Sequence, residues 1–156
     1  MNKLRLYIDT SVIGGCFDAE FSEYSNKLFD EIIIGKKTAV VSDVVFEEIA
    51  GASEKIQNVL KKIPEENIQV IQRNKEAQDL SLQYINAKAI SPKFSDDALH
   101  IAIATINNVD LLVSWNFKHI VNYNRILKYN AINLLNGYKH LEIRSPKEVV
   151  DEEEII

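Results

Sequence analysis

At 156 residues, 46% hydrophobic and 26% charged, the chain has the balance of a single globular domain with a sizeable core. Its one cysteine, Cys16, excludes an internal disulfide and fits a reducing compartment. No apolar run approaches the ~18 residues of a membrane span, and the start MNKLRLYIDTSV lacks the uninterrupted apolar stretch and cleavage site of a signal peptide, so a cytoplasmic protein with no membrane partner is expected. The formal net charge of −5 argues against unaided binding of a polyanion. The run DEEE at 151–154 holds four of those charges, however, and the body is near neutral. A local basic patch or a bound metal could still hold a nucleic acid there.

KLRLYI alternates and ends on Asp9, which predicts a first strand. A helical pattern follows over roughly 19–35, then the β-branched strand TAVVS (38–42) and a helix over 43–62 with a break at Gly51. IQVI (68–71), after Pro64, is a third strand, and helices are predicted over 74–88 and 95–107. DLLVS (110–114) is a fourth strand and 117–128 a further helix; AINLL (131–135) or LEIR (141–144) would add a fifth strand at an edge. Strands alternating with helices predict an α/β fold, with a mainly parallel sheet of four or five strands flanked by helices on both faces. The expected organisation is one domain over 1–150 and a solvated acidic tail over 151–156. In such sheets ligands bind beyond the carboxyl ends of the strands.

Four segments bring polar residues to that edge. Asp9 follows the first strand, with Thr10 and Ser11 beside it as alternative helix caps. After the second strand, Ser42 reads as an N-cap for VVFEEI. Helical spacing puts Glu48 on a face with Val44, Val45, Ile49 and Ala52, and Glu47 on the polar side as a solvated residue. In KFSDDALHIAIATINN, with Ser95 as N-cap, Asp96 and Asp97 fall in a first turn where negative charge suits the helix dipole. Spacing does not choose between them, and His100, one turn on, reads as a hydrogen-bonded core residue. Asn116 lies just past the fourth strand, as an N-cap or a site residue, with Lys118 and His119 following. Carboxylates on inward faces need a compensating cation. Oxygen donors without clustered Cys or His suit Mg²⁺ or Mn²⁺.

YIDTSV, SDVVFEEI, DDALHIAIA and LLVSWNFKHI, in this order over residues 4 to about 121, resemble a PIN domain of the VapC-like branch. The resemblance implies a Mg²⁺- or Mn²⁺-dependent endoribonuclease, the toxin of a toxin–antitoxin pair, with RNA as substrate, an antitoxin protein as partner and a homodimeric state. It selects Asp97 over Asp96. It also implies Asp9, Glu48, Asp97 and Asn116 as catalytic residues, the first three as metal ligands, with Thr10, Ser114 and Lys118 supporting ligands or substrate. Lys93 and Arg125 are further candidates for substrate contacts. Asn116 departs from the commonest pattern, which has a fourth aspartate there, and so brings no charge. The alternative is a catalytically weak PIN domain that binds RNA or protein. An aspartyl phosphatase would want a second aspartate two residues after Asp9, where Ser11 stands, and a phospho-receiver would want paired acids near the first strand.

Overall fold

The computed structural model describes residues 3–152. Five parallel strands, β1 (Arg5–Ile8), β2 (Thr38–Ser42), β3 (Ile68–Ile71), β4 (Leu111–Val113) and β5 (Ile143–Arg144), form one sheet in the order β3-β2-β1-β4-β5. The helices are α1 (Thr10–Gly15), α2 (Ser22–Ile33), α3 (Asp43–Ile49), α4 (Glu54–Lys61), α5 (Lys75–Asn86), α6 (Ser95–Ile106), α7 (Tyr123–Leu135) and the short α8 (Pro146–Val149). None is long and apolar enough to cross a membrane.

Side-chain alternation along the central strands builds two cores. Tyr7, Val40, Leu112 and Ile143 point to one face and pack with Leu80, Tyr84, Ile101 and Tyr129 of α5, α6 and α7. Leu6, Ile8, Ala39, Val41 and Val113 point to the other and pack with Val12, Leu28, Ile32 and Leu60 of α1, α2 and α4. Burial of α6 is nearly complete from Ala98 to Thr105, as its apolar run predicts. The strand order reverses at β1: β2 and β3 lie to one side, β4 and β5 to the other. The crevice between the ends of β1 and β4 is therefore the topological switch point.

Several predicted boundaries move. LEIR supplies the fifth strand, and AINLL lies inside α7. No helix spans 117–128. Asn116 instead closes a single turn: its Oδ1 accepts from His119 N at 2.9 Å and its carbonyl accepts from the amides of Ile120 and Val121. Helix α7 starts only after Asn122, whose side chain accepts from Arg125 N. Ser95 is not a cap, because the 3₁₀ turn Pro92–Phe94, capped by Ser91, runs directly into α6 and places Ser95 inside it. Six residues after Asp9 form α1, which the sequence pattern does not predict. The break at Gly51 does separate α3 from α4.

The expected acidic tail falls outside the described residues except for Asp151 and Glu152. Asp151 is held against α2. Lys37 Nζ donates to Asp151 Oδ1 at 2.7 Å and to buried Glu31 Oε1 at 2.5 Å, while the Asp151 amide donates to Glu31 Oε2 at 3.0 Å.

Candidate functional site

The backbone of Asp9 occupies the N-cap position of α1 in extended conformation, yet its carboxylate caps nothing. Two hydroxyls hold it instead. Ser11 Oγ donates to Oδ1 at 2.6 Å and Ser114 Oγ donates to Oδ2 at 2.9 Å. Each hydroxyl in turn accepts a backbone amide from the loop after β4: Trp115 N on Ser11 and Asn116 N on Ser114, both at 2.9 Å. The carboxylate is thus locked to the mouth of β4 and is only 4% exposed. Burial pushes its pKa up, against the charge of His100 and the two hydroxyls.

Asp97 lies half-buried in the first turn of α6, whereas Asp96 is exposed. Asn116 Nδ2 donates to Asp97 Oδ2 at 3.2 Å. Because the Asn116 oxygen is taken by His119 N, its amide group faces Asp97 as a donor rather than as an oxygen ligand. Burial pushes the Asp97 pKa up, opposed by His100 and His119, while Glu48 adds repulsion.

Glu48 turns toward this edge, as helical spacing predicts. Thr10 Oγ1 donates to Glu48 Oε1 at 3.0 Å, and His100 Nε2 meets the same oxygen. His100 Nδ1 lies 2.6 Å from Tyr7 Oη, which shares a 2.7 Å bond with Ser42 Oγ. The Ser42 hydroxyl is therefore drawn into the core and caps no helix. Burial opposes charge on His100, but the bond to Glu48 and the charges of Glu48, Asp9 and Asp97 outweigh it and raise its pKa. Burial likewise opposes charge on Glu48, and the His100 bond outweighs it, so its pKa falls. Glu47 points away, 66% exposed, and pairs with Arg73 rather than being simply solvated.

His100 is a hydrogen-bonded core residue, as expected, and the three acids around it favour its charged form. Sequence reasoning did not give it, Tyr7 or Ser11 a site role. The available signal was its position one turn beyond Asp97 on a helix face otherwise wholly apolar.

Thr10 and Ser114 join the site; of the proposed basic residues, Lys118 is exposed beside Asn116 and Lys93 lies over the Phe94 ring. Arg125 is engaged elsewhere, donating to Ala89 O at 2.8 Å. Among the described residues no three His, Cys, Asp or Glu side chains form a ready cage for a metal ion. Buried Asp9 and half-buried Asp97 have the hard-oxygen chemistry that suits Mg²⁺ or Mn²⁺, and Glu48 is drawn off by His100 and Thr10.

Three solved structures share this architecture. A chain of VapBC2 from Rickettsia felis, bound to a DNA fragment from their promoter, superposes with a TM-score of 0.54 at 16% identity, over 91% of this chain and 98% of that one. VapC20 of Mycobacterium tuberculosis, a sarcin-ricin loop cleaving toxin, gives 0.57 at 8% identity, over 73% and 92%. The chain has a PIN-like, VapC-type fold. A toxin–antitoxin complex from Klebsiella pneumoniae gives 0.54 at 14% identity, over 73% and 88%. No family model and no curated protein matches the sequence.

Proposed function

We propose that this chain is a metal-dependent endoribonuclease, the toxin of a toxin–antitoxin pair. The observation that carries the reading is the convergence of Asp9, Asp97 and Glu48 around a single basic side chain, His100, at the switch point. A stable core has no use for a cluster of acids with a single basic neighbour, whereas a cation-assisted phosphodiesterase requires one. The VapC-type fold supports the same reading.

Asp9 and Asp97 would hold the ion. When bound, a divalent cation supplies a water of lowered pKa and charge stabilisation at the phosphate. The protein's own part is positional. Ser11 and Ser114 fix both oxygens of Asp9, and Asn116 orients Asp97. Glu48, with Oε1 held by Thr10 and His100, would hold the attacking water. Lys118 offers an exposed cation to the phosphate backbone. In-line attack then breaks the bond from phosphorus to the leaving ribose oxygen.

The test is incubation of purified protein with single-stranded RNA in Mg²⁺, in Mn²⁺ and in chelator. Cleavage is expected with metal and absent in chelator, and lost in Asp97→Asn. Intact RNA under every condition, with no metal effect on melting temperature, would overturn it. RNA that is bound and left uncleaved would favour the second reading, a binding module. Its supporting observation is the amide of Asn116 standing where a fourth carboxylate would strengthen metal binding. Release of a tight co-purifying small protein on denaturation would support the antitoxin partner.

A further inference from the structure

Beside the carboxylates lies a pocket of about 350 Å³ whose far wall has no part in the chemistry above. It shares Ser11 and Asn116 with the site and continues over Gly14 and Gly15 to Phe21 and Trp115, with Asp18 at its rim. Phe21 and Trp115 are stacked, their ring centroids 4.4 Å apart at 21°. Phe117 stands edge-on to Trp115 at 6.1 Å and is 49% exposed. The indole is immobilised: its Nε1 donates to Ser25 Oγ at 2.8 Å, and that hydroxyl donates to Val12 O. A Cβ on Gly15 would come within 2.7 Å of Trp115 Nε1, so glycine there lets the indole sit against α1. Above Gly14, by contrast, there is nothing within 4 Å.

We infer that this pocket is a subsite for one unstacked nucleobase of the RNA strand, next to the cleaved phosphate. The inference rests on the ribonuclease reading. Three features choose a base over other occupants. The Trp115 indole is only 8% exposed and lies behind half-buried Phe21, so Phe21, held in place by the stack, is the surface offered, and rigid aromatic surfaces of this kind are stacking platforms that accept any base. The rim carries the carboxylate of Asp18 and the lining carries no cation, which repels a phosphate. The pocket is continuous with the Asp9 edge through Ser11 and Asn116, and a base is tied by its sugar to the neighbouring phosphate.

Trp115 is the only tryptophan, so its emission reports this pocket. The cleavage-deficient Asp97→Asn protein would be titrated with a single-stranded RNA hexamer and with an abasic ribose-phosphate hexamer of equal charge. Saturable quenching by the RNA and none by the abasic strand is expected. A Cβ at Gly14 meets nothing within 4 Å, so Gly14→Leu extends a side chain into the pocket. It should raise KM for RNA about tenfold in the otherwise unaltered protein, with no fall in melting temperature. Equal quenching by both strands, or unchanged KM in Gly14→Leu, would overturn the subsite while cleavage by the parent protein keeps the ribonuclease reading standing. A parent protein that neither binds nor cleaves RNA would remove both.

Discussion

The molecule buries carboxylates in two places, and the two are built on opposite terms. At the foot of α2, Glu31 and Asp151 surround Lys37, with Lys36 3.4 Å from Asp151, so that two acids face two bases. Glu31, Lys37 and the Asp151 amide satisfy one another. At the end of β1, three acids face one histidine, and hydroxyls and an amide group hold them in place without neutralising them. A buried ionic group is therefore no mark of function by itself. The mark is an excess of one sign that the fold takes trouble to position.

That contrast can be broken in order of expected effect. Lys37→Met leaves Glu31 buried without a counter-charge and should cost about 3–5 kcal/mol in urea denaturation. Adding Glu31→Leu should recover most of the loss. If Lys37→Met were nearly neutral, the α2 cluster would not be a closed, balanced pair. At the site the sign reverses. Asp97→Asn relieves repulsion and should raise the metal-free melting temperature while lowering RNA cleavage about a hundredfold or more. It should also remove the stabilisation by Mg²⁺ or Mn²⁺, which for the parent protein amounts to about 2.7 kcal/mol at a hundredfold excess over Kd. A variant that lost stability and kept cleavage would make Asp97 structural.

Acid separates the regions further. Lys37 holds the Asp151 carboxyl below its ordinary value of 3.8. The stability it contributes is then fully present above about pH 4 and lost as pH falls through its lowered pKa. Asp97 is displaced upward, chiefly by burial. Its charge penalises the folded state above the raised pKa, and the penalty vanishes as pH falls toward 3.8. The stability gap between Asp151→Asn and parent should therefore stay level from pH 7 to about 4, while the gap for Asp97→Asn shrinks over the same range. Parallel curves would contradict the distinction. The smallest effect is expected at Glu47, whose exposed pair with Arg73 is worth at most about 1 kcal/mol. Glu47→Gln should cleave RNA like the parent, whereas Glu48→Gln should not.

Much of this arrangement is legible in the sequence because periodicity reports faces. The alternation in KLRLYI sets Tyr7 and Leu6 on opposite sides of the sheet, and helical spacing turns Glu48 toward Thr10 and His100 and Glu47 away, although Glu48 stays partly exposed. The choice of Asp97 over Asp96 came from family resemblance, since both occupy the same first turn. Three-dimensional partnerships are less visible. His100 meets Tyr7, 93 residues away, and Glu48, 52 residues away, and no local pattern reports either contact. Lys37 sits in the polar GKK before β2, yet its amine is buried and reaches buried Glu31 and half-exposed Asp151. The false helix over 117–128 arose because Asn116 and Asn122 are both good caps. The first closes one turn on itself, and the second starts the real helix.

The central position of β1 has a consequence for the order of events at the ribosome. β1 pairs with β2, the next strand made, and with β4, the fourth. The hydroxyl of Ser114 that grips Asp9 belongs to a residue added 105 positions later. At ordinary translation speeds of about 5–20 residues per second, Asp9 waits roughly 5–20 s for that partner. For most of this interval the growing chain carries its first acid without Asp97, and throughout it without Ser114 or Asn116. Every fragment that stalls before β4 lacks the hydroxyl and amide that fix Asp9 and Asp97, so the arrangement of acids is completed only late in synthesis.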